Sequence, residues 1–221
     1  MSAAIEQALA AVICNGANRI GEIAIITAGN RFVLTHRDDI AKAGLATIEH
    51  PAEATRLVTF DDAGNFRPLK TAPNLRRGWR MELPDLARLA SALDYFYPGR
   101  LAALATWQEN RLTTTPLRES LNRQSGMYRV AAKISDEQID NVVGNFCRSD
   151  GGCLRTILWR RDSAGATASK KLPPEKFDPA HDQTGRKERS IPLLCQEACN
   201  LLVNECRKAV KTETAAPSAP E

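Results

Sequence analysis

A chain of 221 residues with 43% hydrophobic and 25% charged side chains is long enough for one large or two small cores, and its charge content excludes a wholly disordered polymer. A net charge of +4 and a pI near 8.8 are too mild and too mixed in sign to mark a nucleic-acid-binding protein. No run nears the roughly 18 apolar residues of a membrane span, and the N-terminal stretch carries Glu6 with no basic residue before its apolar part, so it reads as a helix rather than an export signal.

Residues 2–15 place Ile5, Leu9, Val12 and Ile13 at helical spacing, which predicts an amphipathic first helix. Gly21 opens EIAIITAG, and NRFVLTH follows Gly29-Asn30; two β-branched runs so separated predict a β-hairpin. RLVTF (56–60) reads as a third strand, closed by the turn residues Asp61 to Asn65. Pro68, Pro73 and Gly78 make 66–83 extended chain and turn, with WRMEL as a strand. Leu86, Leu89, Ala90, Leu93 and Phe96 recur at helical spacing up to Pro98-Gly99, and another helix starts near Leu101.

Thr115-Pro116 reads as the N-cap and first residue of the next helix. Ser135-Asp136-Glu137-Gln138 is a capping box ahead of Ile139, Val142, Val143 and Phe146, and this helix delivers Cys147 at its C-terminal end. A polar, Gly-rich turn leads to Cys153 and the short apolar strand LRTILW. Residues 161–190, poor in apolar side chains, read as a long loop. Ser190 and Pro192 start a last helix, PLLCQEACNLLVNECRKAV, and the tail has a disordered composition. The predicted fold class is α+β. A mixed α/β domain with a small sheet and helices (1–120) precedes a small helical Cys-rich domain (121–212) and a disordered tail (213–221).

Six cysteines without an export signal predict a reduced, cytoplasmic chain in which clustered thiols bind metal or react. Five fall between 147 and 206, and His36, His50 and His181 stand in no short spacing with any of them. Cys147-x5-Cys153 and Cys195-x3-Cys199 are two pairs, hence four thiolates, the number a [4Fe–4S] cluster or a zinc ion needs. Zinc ribbons prefer tighter knuckles, so these spacings fit zinc less well. On one helix, Cys195 and Cys199 stand one turn apart, a separation that suits two corners of a cubane. Cys195 would lie in the first turn, where the dipole favours thiolate. Ser149 to Gly152 would let backbone N–H groups approach the cluster sulfurs. Cys206 lies about 10 Å further along that helix, and with Cys14 it reads as a buried small apolar residue. Buried free thiols and zinc stay open beside the cluster.

The pattern C-x5-C…C-x3-C resembles the cluster motif of sirohaem sulfite and nitrite reductases. The resemblance implies a [4Fe–4S] cluster on Cys147, Cys153, Cys195 and Cys199, with the last also bridging to sirohaem. Those enzymes are far longer and usually read C-P-N-x-C where this chain has Cys195-Gln196-Glu197-Ala198-Cys199, a departure that bears against sirohaem more than against the cluster. GNFRPLKTAPNLRRGW, ALDYFYPGRL, RQSGMYR, FCRSDGGCLRTILW and IPLLCQEACNLLV resemble the region after the chelatase modules of CbiX-like sirohydrochlorin chelatase-related proteins, over nearly all of residues 1–212. That resemblance implies a stabilising domain followed by a C-terminal [4Fe–4S] domain. No chelatase module is evident in the chain, which implies a cluster protein acting beside a separate chelatase.

Arg160, Arg161, Lys170, Lys171, Arg186, Lys187 and Arg189 frame the long loop. They read as a solvated loop or as an anion site for a partner or a tetrapyrrole. Arg76, Arg77 and Arg80 around Trp79 read as a charged strand edge or a second anion grip. No P-loop, GxGxxG, HExxH or GxSxG occurs, and no catalytic residue is identified. The expected function is that of a cytoplasmic [4Fe–4S] protein accessory to sirohydrochlorin or related tetrapyrrole (sirohaem or cobalamin) metabolism, through electron transfer, sensing or chelatase support. Its expected partners are a separate chelatase or redox protein and an anionic tetrapyrrole, with neither nucleic acid nor membrane. A small sirohaem- or cluster-dependent reductase and a zinc-stabilised interaction module are the alternatives.

Overall fold

The structure, a computed structural model, describes residues 2–14, 18–29, 31–59, 75–147, 153–163 and 190–215. In chain order these form α1 (Ala3–Cys14), β1 (Arg19–Ile20), β2 (Ile23–Ala28), β3 (Arg31–His36), β4 (Ala46–Ile48), α2 (Ala54–Thr59), β5 (Trp79–Leu83), α3 (Leu86–Phe96), α4 (Arg100–Gln108), α5 (Leu117–Asn122), α6 (Asp136–Val142), β6 (Thr156–Ile157), β7 (Ser190–Ile191), β8 (Leu194–Cys195) and α7 (Asn200–Ala215). Packing divides the chain into two units, Met1–Leu112 with Asp178–Leu194, and Thr113–Phe177 with Cys195–Glu221. Among the described residues, no helix is long and apolar enough to cross a membrane.

The first unit is built on a mixed sheet of order β4-β5-β3-β2-β1-β7. Its inner pairs are antiparallel, and the outer pairs β4–β5 and β1–β7 are parallel. The predicted hairpin is β2–β3, in register from Ile23↔His36 to Ala28↔Arg31. Asp85 caps α3 by accepting the Arg88 N–H at 2.7 Å, and Leu89, Leu93 and Phe96 of that helix are fully buried. Trp79 stacks on Phe96, with ring centroids 5.1 Å apart.

Gly21 turns the chain between β1 and β2 at φ +55°. A Cβ there would stand 2.4 Å from the Tyr97 hydroxyl oxygen and 2.7 Å from its Cζ. That hydroxyl accepts the Glu22 N–H at 3.1 Å, so the ring cannot move without losing a buried bond. Gly21→Ala combines left-handed strain with overpacking and should cost about 2–4 kcal/mol, read as a lower urea midpoint.

Asp39 is fully buried. Its carboxylate accepts the Gly78 N–H and binds Lys42 Nζ, each at 2.7 Å. Burial alone pushes its pKa up, but Lys42, the Gly78 N–H and His36 together hold it below the ordinary 3.8. A folded pKa below the unfolded one stabilises above the unfolded value, and the gain is lost as pH falls through the folded value. Asp39→Asn should therefore destabilise this unit at pH 7, by about 1–3 kcal/mol. The gap to wild type should close below about pH 4; a gap constant from pH 7 to pH 2 in urea melts would assign the effect to packing.

Several expectations are corrected here. Residues 56–59 are not a strand: Ala54–Thr59 is helix α2, entered through a 3-10 turn at Pro51–Glu53; Phe60 lies outside the described residues. The Glu53 carboxylate accepts the His50 N–H at 3.3 Å. Helical spacing lets Ala54, Leu57 and Val58 share one buried face. β5 lies inside the sheet, so the charged-edge reading of Arg76, Arg77 and Arg80 fails. Trp79 is core, Arg77 pairs with Asp38 at 3.0 Å, and Arg80 pairs with Glu82. Cys14 is exposed rather than buried. The N-cap of α5 is Pro116, one residue later than predicted. The last helix starts at Asn200 rather than Pro192, and it runs to Ala215, past the predicted end at Val210. Residues 190–194 return to the first unit, where β7 extends the sheet beside β1.

The second unit has its own core. Leu117 and Leu121 of α5, Ile139 of α6, Ile157, Trp159, and Leu202, Val203, Cys206 and Val210 of α7 pack with Ala131 and Ile134 of a 3-10 stretch at Gly126–Lys133. Cys147 and Cys195 are buried in this same core, and Cys199 packs against it.

Candidate metal centre

The capping box predicted at Ser135 is formed. Ser135 Oγ accepts the Gln138 N–H at 3.2 Å, and Gln138 Oε1 accepts the Ser135 N–H at 2.9 Å. Asp136 and Glu137 complement the helix dipole in the first turn. After Val142 the helix widens into a π turn, Val143–Cys147, a feature often found at functional sites. Val143 and Cys147 both point into the core. The Cys153 N–H then donates to the Phe146 carbonyl at 3.4 Å, which brings Cys153 back beside the end of the π turn at Cys147. Residues 148–152, where Gly-rich N–H groups were expected, lie outside the described residues.

The second pair comes from different local structure than predicted. Cys195 sits on β8, whose partner is β6, and its carbonyl accepts the Leu158 N–H at 3.0 Å. The Gln196 carbonyl accepts the Thr115 N–H at 3.0 Å. These cross-chain bonds hold 195–196 extended and stop the helix from starting there. The Cys199 carbonyl accepts the Val203 N–H at 3.1 Å, so Cys199 stands at the N-cap of α7. One sulfur thus sits on a strand and the other at a helix start, not one turn apart on a single helix.

Electrostatics tie three of these thiols together. Burial pushes the Cys153 thiol up, the Arg155 N–H and charge oppose this, and Cys195 and Cys199 push it up further. Burial likewise raises Cys195, against the Trp159 indole and Arg155, and Cys199 adds to the rise. Cys153, Cys195 and Cys199 therefore lie within electrostatic reach of one another. Burial pushes Cys206 up to about 12, the behaviour of an inert core thiol.

The donor set fits an iron–sulfur cluster better than one ion. A tetrahedral zinc with bonds of about 2.3 Å gathers its sulfurs to within about 4 Å. Among the described residues, no three His, Cys, Asp or Glu side chains close on one ion-sized point. A cubane spreads its four thiolates more widely and is held by cysteine thiolates, and the four candidate donors here are all free cysteines.

Arg161 is committed elsewhere: its guanidinium pairs with Asp140 at 2.5 Å and Asp136 at 3.1 Å. Asp136 also pairs with Arg118, whose Nη1 donates to the Ile134 carbonyl. This network braces α5, α6 and the strand segment rather than offering an open anion site. Arg160 is exposed, and its carbonyl accepts the Leu117 N–H at 2.8 Å. Lys170, Lys171, Arg186, Lys187 and Arg189 lie outside the described residues. The sequence reading missed Trp159 and Arg155. Trp159 is buried, and its Nε1–H donates to Cys195 Sγ at 3.3 Å; its place in LRTILW suggested only a core strand.

Comparison with known families agrees with this division. Residues 109–208 match the family described as 4Fe-4S iron-sulfur cluster binding domain, and residues 5–111 match the DR2241 stabilising domain. A [4Fe–4S] cluster is accordingly the cofactor of the second half. A search of curated proteins finds no match. The chain is similar to DR2241 from Deinococcus radiodurans, with 30% identity and a TM-score of 0.71, over 96% of this chain and 42% of that one. That neighbour is described as a multi-domain protein with structural similarity to chelatases and two additional novel domains. The chain thus spans about two fifths of its length.

Proposed function

We propose, for a chain that joins a DR2241-type stabilising domain to a 4Fe-4S cluster-binding domain, that Cys147, Cys153, Cys195 and Cys199 hold the cluster and that the protein is a cytoplasmic one-electron module serving a tetrapyrrole chelatase. The observation that carries the ligand set is the Cys153 N–H bond to the Phe146 carbonyl, which brings Cys153 back beside the turn that ends at Cys147, together with the mutual influence of Cys153, Cys195 and Cys199; Cys206, which Cys199 also influences, lies about 10 Å further along α7. When bound, the cluster supplies reversible one-electron transfer. The chain's own part is to present four thiolates from a π turn, the loop after it, a strand and a helix N-cap, and to keep water from two of them. The neighbour's printed likeness to chelatases supports the choice of partner. Free cysteines throughout suit a reducing compartment.

Protein purified without oxygen should carry about four iron and four sulfide per chain, with a broad shoulder near roughly 400 nm that dithionite bleaches. Stoichiometric zinc in a colourless protein would establish the interaction module instead. Added sharp bands would establish the sirohaem reductase. Sirohydrochlorin titrated into the holoprotein, with and without a chelatase, tests the partner. No binding and no change in the chelatase's metal-insertion rate would remove the tetrapyrrole assignment while leaving the cluster in place.

A further inference from the structure

The sulfur of one proposed ligand is met by a buried side-chain donor. Cys195 Sγ accepts the Trp159 Nε1–H at 3.3 Å, and the Arg155 side chain reaches the same sulfur. Arg155 Nε is buried with no hydrogen-bond partner. The Cys195 thiol in turn donates to the Glu197 carbonyl at 3.2 Å. That last bond needs the thiol proton and ends once the sulfur is a thiolate ligand. The indole bond does not end, because the indole N–H is a donor only and a thiolate accepts more strongly than a thiol. The indole is locked: Trp159 is 1% exposed and packed in the core of its unit.

We propose that the Trp159 N–H, through its hydrogen bond to the Cys195 sulfur, sets the reduction potential of the cluster, with the Arg155 charge acting beside it. This rests on Cys195 being a ligand. Reduction adds one electron, supplied in the test by dithionite, and no proton. Part of the added charge falls on the ligand sulfurs, so a donor aimed at one of them stabilises the reduced form more than the oxidised form. The Arg155 charge acts in the same sense. Removing the N–H or the charge shifts the equilibrium toward the oxidised cluster and makes the potential more negative.

The variants are Trp159→Phe, which keeps the ring and loses the N–H, and the pair Arg155→Lys and Arg155→Met, which keep and remove the charge. Iron and sulfide are counted first, then each potential is measured by dye-mediated titration of the full chain. Trp159→Phe should load iron as wild type does and lower the reduction equilibrium constant about tenfold, which is 59 mV for one electron. Arg155→Met should fall in the same direction, and Arg155→Lys should recover most of the loss. A fully loaded Trp159→Phe with the wild-type potential overturns the proposal. A second readout covers a variant that does not load: wild-type protein labelled with 15N in its indoles should show a nitrogen coupling to the reduced cluster by pulsed EPR, and its absence also overturns it. The ligand reading is judged separately, by the iron count of Cys195→Ala.

Discussion

Alanine at any one of Cys147, Cys153, Cys195 or Cys199 should cut bound iron at least tenfold after anaerobic reconstitution, while Cys206→Ala and Cys14→Ala should load as wild type does. The contrast is sharp because all six thiols are free and their places in the fold separate them. Cys153, Cys195 and Cys199 act on one another electrostatically, and Cys199 also acts on Cys206, so what sets Cys206 apart is its place on the helix. Cys147 ends the π turn directly before the loop that Cys153 closes. Cys206 is seven residues into α7 from the N-cap at Cys199, about 10 Å of helix rise, and it is fully buried among Leu202, Val203 and Val210. Its loss should leave a small cavity and cost about 1–2 kcal/mol of stability with no loss of iron. Cys14 is exposed on α1, and its replacement should stay within about 0.5 kcal/mol of wild type. Alanine is preferred to serine, since a serine oxygen can itself ligate iron. If Cys206→Ala empties the site while Cys195→Ala does not, the ligand set proposed above is wrong.

The readable and unreadable parts of this chain divide by the range of the interactions that decide them. The capping box at Ser135, the hairpin across Gly29 and the helix from Leu86 to Phe96 are local, and each forms as its residues predict. Residues 54–59 depended on packing. RLVTF has the β-branched content of a strand, but the Pro51–Glu53 turn and a buried Ala54–Leu57–Val58 face make it a helix. The stretch 190–199 fails for the same reason at longer range. Its helical look is overruled by the pairing of Ile191 with Ile20, the Leu158 N–H on the Cys195 carbonyl, and the Thr115 N–H on the Gln196 carbonyl. Each partner lies at least 36 residues away, beyond any local pattern. The cysteine spacing still identified the four candidate ligands, because spacing limits what a chain can gather whatever structure carries it. The Trp159 donor had no such signature: one buried indole in an apolar run looks the same whether or not a sulfur faces it.

Removing the cluster should loosen the second unit far more than the first. Ligand binding energy is folding energy only for the segments that carry the ligands. Here those segments are the π turn at Val143–Cys147, the chain from Cys153 into β6, β8, and the start of α7. Apart from α7, which runs on for 16 residues and buries Leu202, Val203 and Val210, these elements are short: β6 and β8 are two residues each, and the π turn is five. Apart from the core they line, they are held by single backbone bonds such as Cys153 to Phe146 and Leu158 to Cys195. The sheet of the first unit needs no metal, since Ile23, Leu34, Met81 and Leu83 are fully buried beneath α3 and its neighbours. Amides at 143–147, 153–159 and 199–204 should therefore lose protection about 100-fold or more in apoprotein. Those of β2, β3 and β5 should change by less than about threefold. Hydrogen exchange on reconstituted and chelator-stripped protein at one pH makes the comparison. Equal loosening of both halves would mean that the cluster supports the whole chain, and the independence of the two cores would have to be abandoned. No change in either half would mean that the thiols hold their places without metal. The site would then be preformed, with Trp159 already waiting on the Cys195 sulfur, and cluster binding would act on the potential alone rather than on the fold.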